Sequence, residues 1–387
     1  MKQQVIALVD CDSFYVSCER KDNVSLQGKP VCVMTSVSDK GIIVSRSKEA
    51  KELGIKMGAP YFQIKNTYKN VVFLPTRMKR YAQISAQVMS EIKNFSPDVE
   101  VVSVDEAYID LTGLDKVYKT TYTQIIKNIR QTILDKLNIP VSIGLSCSKI
   151  LAKLASDKAK KCGGIFVIPP DNILHIIGNT KIEEVSGVGR KNTENLHFYG
   201  VFTVQDFVEK DNVWIKKVLG INGLALKQEL MGFVTSVVDK NPTAPQSIQD
   251  TKSFEDFTSN FGFLSHELNY HVYNACKKLR KWNGFCSEIE VVLKTKDFKQ
   301  LSLSGKFENP TNSDFEIKKL AQHLLKLIYK SNLIYRSTGI SLKQLTYDNQ
   351  IQQSLFENIK PNDDKLSRII DELENKFGQG IIKTGQM

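Results

Sequence analysis

A run of valines ending in two adjacent carboxylates constrains this chain more than any other stretch. Val101-Val102-Ser103-Val104 leads into Asp105-Glu106, and Ala107-Tyr108-Ile109-Asp110-Leu111 carries the apolar pattern onward. β-Branched and aromatic residues at that density read as a half-buried strand or a hairpin. Two neighbouring anions at the edge of such an element repel each other and lose hydration. A divalent cation relieves both penalties, and oxygen ligands suit Mg²⁺ or Mn²⁺. The competing reading is one exposed and one salt-bridged carboxylate at a strand end, and for an isolated Asp-Glu pair it is the commoner one.

A second stretch changes that balance. Val5-Ile6-Ala7-Leu8-Val9 is a buried-strand run, and it ends in Asp10-Cys11-Asp12-Ser13-Phe14-Tyr15. An acid at the end of one apolar strand can meet the acids of its neighbour. Asp10, Asp105 and Glu106 would then hold two cations about 3.5–4 Å apart, the arrangement used for in-line phosphoryl transfer. Phe14 and Tyr15 place aromatic rings beside that site.

Asp10 to Tyr15, Ser103 to Tyr108 and Ser146 to Lys160, in that order and spacing, resemble a Y-family DNA polymerase, and within it the UmuC-type branch that includes the catalytic subunit of bacterial polymerase V. The resemblance spans residues 5–380. It implies an α+β multidomain right hand: a palm (1–25 and 75–168), small fingers (26–74), a helical thumb with a helix-hairpin-helix (169–238), a linker (239–250), an α/β little finger (251–345) and a tail with a clamp-binding motif (346–387).

Composition is compatible with this. A length of 387 residues allows two to four domains. No apolar run reaches the roughly 18 residues that a membrane span needs, and the N-terminus shows no signal-peptide pattern. Seven Cys without a CxxC pair argue for reduced thiols in a cytosol and against a zinc site; the resemblance implies a bacterial cytoplasm. A net charge of +11 points to a polyanionic partner, although basic chains without one exist.

Along the chain, helices are expected over 14–20, 47–53, 77–95, 121–137 and 148–161, and strands over 31–34, 42–44 and 141–145. Ser45 and Lys51 flank a helix start, a physical phosphate site, and the resemblance gives them contacts to the incoming triphosphate. Members of the family often carry Tyr and Arg where Lys48 and Lys51 stand here; lysine supplies charge but not the bidentate fork of Arg, and the role of Lys48 is in doubt. Asp157-Lys158-Ala159-Lys160 matches the family's Asp-x-Ala-Lys, which implies a triphosphate contact for Lys160. Lys149, Lys153, Lys158 and Lys161 read as a solvated basic face.

Ile182 to Lys191 resembles a helix-hairpin-helix. There Gly187 and Gly189 let backbone N–H groups approach a phosphate, with Arg190 and Lys191 assisting, contacts that grip a duplex without reading its sequence. Gly220 to Gly223 resembles a weaker copy. The stretch 239–250 reads as a linker. Strands are expected over 287–293, 301–303 and 334–342, with helices over 265–282 and 314–329. In the tail, Gln352, Leu355 and Phe356 resemble the short peptide by which bacterial polymerases bind the sliding clamp; such patterns also arise by chance.

The function this implies is low-fidelity translesion DNA synthesis by two-metal nucleotidyl transfer, as in SOS damage tolerance. Asp10, Asp105 and Glu106 would hold two Mg²⁺ ions, with Mn²⁺ as a substitute, and the backbone carbonyl of Cys11 would add a ligand. The resemblance makes Tyr15 the steric gate against ribose, with Phe14 packed beneath it. Partners would be primer-template DNA, deoxynucleoside triphosphates and the sliding clamp, with no membrane. The branch also names a UmuD-type protein and RecA, but no stretch here identifies surfaces for them. Two other readings compete: a nucleotidyl cyclase-like palm enzyme, and a non-catalytic DNA- and clamp-binding protein. The first leaves the hairpin and tail unexplained, and the second leaves the three acids unexplained.

Overall fold

The computed structural model describes residues 4–36, 38–347 and 362–377. They fall into two compact units that divide between Pro242 and Thr243.

The first unit opens with β1 (Ile6–Cys11), buried at every position, as a short unbroken apolar run suggests. Ser13, in the left-handed region at φ 47°, turns the chain into α1 (Phe14–Asp22). Next come β2 (Val31–Met34), β3 (Ile43–Arg46), α2 (Lys48–Glu52), α3 (Tyr61–Ile64) and β4 (Val72–Pro75). The strands form a small sheet of order β3-β2-β4, with its own core around Met34, Ile43 and Ile55. The Ser47 hydroxyl caps α2 by accepting the Ala50 N–H, and Gly54 stops the turn at φ 83°.

Further along lie α4 (Met78–Lys93), β5 (Val99–Val101), β6 (Glu106–Asp110), α5 (Leu114–Tyr118), α6 (Tyr122–Leu137), β7 (Val141–Ser146), α7 (Lys149–Ala159) and β8 (Ile165–Val167). Their sheet has the order β5-β6-β1-β7-β8, and β1 runs antiparallel to both neighbours. Alternation along β1 sends Ala7, Val9 and Cys11 into the large core with α4 and α6, while Ile6 and Leu8 face Ala152 of α7. Asp10 continues this second row. The valine run divides as a hairpin would. Val102 and Ser103 donate their N–H groups back to the Glu106 carbonyl, so 102–105 is a turn between β5, which ends at Val101, and β6, which starts at Glu106. The unit ends in α8 (Ile173–Ile177), α9 (Arg190–Phe198), α10 (Val204–Glu209) and α11 (Asn212–Leu230).

The second unit contains β9 (Ile248–Thr258), α12 (Phe261–Arg280), β10 (Gly284–Thr295), β11 (Gln300–Thr311), α13 (Asp314–Ile328), β12 (Tyr335–Tyr347) and α14 (Asn362–Phe377). The sheet order is β11-β10-β12-β9, and its apolar face packs with α12 and α13. β9 begins inside the stretch that composition marks as linker. Ile248 pairs with Leu342 and Asp250 with Ile340, so the linker ends before Ile248. A buried charge network ties α14 to α12: Glu374 receives Lys277 at 3.0 Å, and Asp371 receives Arg280 Nε at 2.6 Å.

Candidate active site

The register of β1 and β6 sets Asp10 directly opposite Glu106. Cross-strand partners lie on one face about 5 Å apart, so the two carboxylates share the side that α7 covers. Gly144 of β7 lets that helix come close. A Cβ there would lie 2.0 Å from the Ser156 nitrogen and 2.2 Å from the Ala152 oxygen. Close packing brings two lysines of α7 onto the acids. Lys160 Nζ donates to Asp10 Oδ2 at 2.8 Å and to Asp157 Oδ1 at 3.1 Å. Lys153 Nζ donates to Glu106 Oε1 and reaches Asp10 Oδ2 at 3.4 Å.

Electrostatics follow from that packing. Burial, then the hydrogen bond with Asp10, pushes the Glu106 carboxyl above its usual range despite Lys153. Burial works against the charge of Lys153, but Glu106 and Asp10 outweigh it and hold that ammonium above its ordinary value. Asp105 sits in the turn. Its main-chain oxygen accepts from Cys11 N–H at 2.9 Å, which ties the two acidic segments together, while its Oδ1 accepts from Ser103 Oγ at 2.5 Å.

Among the described residues no group of three or more His, Cys, Asp or Glu side chains is disposed as a metal site. The donor chemistry fits a divalent ion all the same. Asp10 and Glu106 offer hard oxygen ligands on one face and already gather positive charge there. Asp105 stands one residue away with one oxygen committed to Ser103.

Around the pair, α1 sets the aromatic residues. The Tyr15 ring stacks on Tyr81 of α4, with centroids 4.6 Å apart and planes at 16°. The Tyr81 hydroxyl donates to Glu19 at 2.6 Å, and Arg77 clamps the same carboxylate at 2.8 and 2.7 Å. Phe14 is buried in the large core, its ring centroid 5.9 Å from that of Tyr15. Lys51 Nζ donates to Ser13 Oγ at 2.9 Å, and Ser45 Oγ to the Ser13 carbonyl at 3.4 Å. Ser13 therefore links the acidic strand end to α2, a junction that the sequence reading passed over. Lys48 is exposed and faces Glu52 at 4.0 Å, a solvated helix face.

Comparison with known proteins identifies the family. The profile of the impB/mucB/samB family matches residues 9–157, and that of its C-terminal domain matches 245–355. A solved Y-family DNA polymerase chimera of Dbh and Dpo4 superposes with a TM-score of 0.75 over 89% of this chain and 100% of its own, at 24% identity. DNA polymerase IV 1 of Bacillus subtilis is 30% identical across 99% of this chain and 93% of its own. The chain belongs to the Y-family DNA polymerases.

This polymerase is as similar to the UmuC protein of Salmonella typhimurium, 29% identical over 98% of this chain and 92% of that one, as to proteins named DNA polymerase IV. An insertion ternary complex of Dbh DNA polymerase matches with a TM-score of 0.61 and 25% identity over 89% of this chain and 100% of that one. The fold is thus the α+β right hand, and the activity is the nucleotidyl transfer of a translesion DNA polymerase. Y-family polymerases use divalent metal ions.

Gly187 takes φ 94°, Gly189 precedes α9, and Arg190 and Lys191 are exposed on its first turn. Arg190 already pairs with Glu194 of the same helix at 2.9 Å. Gln352, Leu355 and Phe356 lie outside the described residues. The residue the sequence reading placed wrongly is Lys153. It is no solvated lysine, because its helix lies against β1 and its ammonium rests on Glu106 and Asp10. Lys149 likewise pairs with Glu100 at 2.6 Å.

No helix among the described residues is long and apolar enough to cross a membrane.

Proposed function

We propose that this polymerase extends a primer on template DNA through Asp10, Asp105 and Glu106. The cross-strand pairing of Asp10 with Glu106, beneath the lysines of α7, carries the reading. Two Mg²⁺ ions, or Mn²⁺ in their place, would lower the pKa of the primer hydroxyl and neutralise the triphosphate and departing pyrophosphate. Asp10 and Asp105 would serve both ions, Glu106 would complete the primer-side site, and the Cys11 carbonyl would add an oxygen. Lys160, Lys51 and Ser45 would bind the deoxynucleoside triphosphate as charges and a hydroxyl donor. Burial and the charges of Arg46 and Lys160 hold Lys51 below its ordinary value, which suits a group that gains an anion on binding. Primer extension in Mg²⁺ on intact and damaged templates is the test; no incorporation on either would overturn the assignment.

Tyr15 would be the gate against ribose, with Tyr81 as its backing. Tyr15→Ala should lower discrimination against ribonucleotides by at least about tenfold, roughly 1.4 kcal/mol. Tyr81→Phe keeps the stacked ring and should leave discrimination near wild type. Unchanged rejection of ribonucleotides by Tyr15→Ala would place the gate on another side chain.

The domain limits are proposed on the same footing, except that the strand at Ile248 shortens the linker. Gly187, Gly189, Arg190 and Lys191 would hold the duplex backbone, a reading supported by their exposure. The motif at Gln352, Leu355 and Phe356 would dock on the sliding clamp. Replacing Leu355 and Phe356 by Ala should leave distributive synthesis on a short primer intact. Clamp stimulation should disappear, since two apolar anchors of about 1.5–3 kcal/mol each are lost. Equal clamp binding by both proteins in a titration would remove the clamp as a partner. A UmuD-type protein and RecA are proposed from kinship with UmuC alone, and a cytoplasmic setting from the bacterial relatives.

A further inference from the structure

Lys153 touches the two carboxylates that face each other across β1 and β6, whereas Lys160 divides its ammonium between Asp10 and Asp157. Lys153 was not among the residues singled out by motif, and nothing in the reaction described above uses it. Its position is built in. Gly144 has no side chain and Ala152 has a small one, so α7 lies close on β1 and β7. The side chain is 21% exposed, so the ammonium has a path to water. Its oxygen partners, Glu106 Oε1 and Asp10 Oδ2, are the donors that a hard dication on this pair would take. An oxygen lone pair cannot serve a compact ammonium and a metal at the same time. Lysine is also suited to exchange, being a point charge on a flexible four-carbon stem.

We propose that Lys153 is a positioning residue that competes with divalent ions for the Asp10–Glu106 pair and so sets how tightly the site holds them. The inference rests on the reading of those acids as metal ligands. While it is seated, Lys153 cancels the repulsion between the facing anions and keeps both rotamers aimed at the site. A dication entering the pair displaces the ammonium toward solvent, so part of its binding energy is used to break the Lys153 contacts. Removing the amine should therefore tighten metal binding while making the protein more dependent on metal for its stability.

The experiment is a Mn²⁺ titration of the full-length protein, with free ion followed by electron paramagnetic resonance. Lys153→Met should bind Mn²⁺ at least about tenfold more tightly than wild type, and Mg²⁺ should raise its melting temperature more than that of wild type. Lys153→Arg keeps the charge and should bind Mn²⁺ no more tightly than wild type. Lys153→Gln serves if the Met variant does not fold. Half-maximal extension should shift to lower Mg²⁺ concentration in the neutral variants, a change that a merely structural role would not produce. Unchanged or weaker Mn²⁺ binding in the neutral variants, with Glu106→Gln weakening it, would overturn the role of Lys153 and leave the metal site standing. Wild-type Mn²⁺ affinity in both Glu106→Gln and Asp10→Asn would remove the metal site itself, and this inference with it.

Discussion

Asp105→Asn combined with Glu106→Gln should lower nucleotide incorporation by at least about a thousandfold, a loss of roughly 4 kcal/mol of transition-state stabilisation. Both substitutions keep the size of the side chain and remove the negative charge that a dication needs. Primer-template binding, measured by fluorescence anisotropy, should stay near wild type, since neither residue is among those proposed to hold the duplex. From sequence alone the loss of two crowded anions would be stabilising. The structure changes that expectation, because Lys153 already compensates Glu106. The substitution removes one partly exposed ion pair, worth about 1 kcal/mol or less. The melting temperature should therefore stay within about 4 °C of wild type. Residual incorporation above about a thousandth of wild type would show that other groups supply the chemistry.

Much of this architecture was legible because local pattern and tertiary context agree. The buried run before Asp10 and the amphipathic helix carrying Tyr81, Ile84, Val88 and Ile92 are elements whose apolar residues all point one way. The strand at Ile248–Thr258 was not legible. It is an edge strand that pairs only with β12, and in its first nine residues only Ile248 and Phe254 are buried. Polar residues there cost nothing in burial, so no alternation marks it. Lys153 was hidden for a different reason. A lysine on a lysine-rich helix reads as solvated until one knows which face packs. That face is fixed by Gly144 on another strand, a contact between distant positions that periodicity cannot reveal. Ser13 is similar: its left-handed conformation and its bonds to Lys51 and Ser45 depend on where α2 comes to rest.

Gly144→Ala should be the most damaging single-atom-scale change in the first unit. The added carbon would lie 2.0 Å from the Ser156 nitrogen, 2.2 Å from the Ala152 oxygen and 2.6 Å from the Ala155 carbonyl carbon. All three are main-chain atoms of α7, so no side chain can rotate away. Optimal carbon contacts lie near 3.5–4.0 Å, so the helix must move from the sheet by on the order of 1 Å. Overpacking of this kind costs about 3 kcal/mol or more, which at roughly 2–4 °C per kcal/mol for a unit of this size lowers the melting temperature by about 6–12 °C. The second consequence is chemical. Lys160, proposed to hold the triphosphate, travels with α7, away from Asp10. A displacement of about 1 Å at a positioned group costs on the order of a hundredfold in rate. Incorporation measured well below the lowered melting temperature should therefore fall by about that factor in protein that is still folded. Gly189→Ala, where an added carbon meets nothing within 4 Å, is the control for melting temperature and should leave it unchanged. A Gly144→Ala protein that melts with wild type would mean that α7 does not rest on β7 as described. One that melts early but incorporates nucleotide at the wild-type rate would separate the packing of this helix from the placement of Lys160.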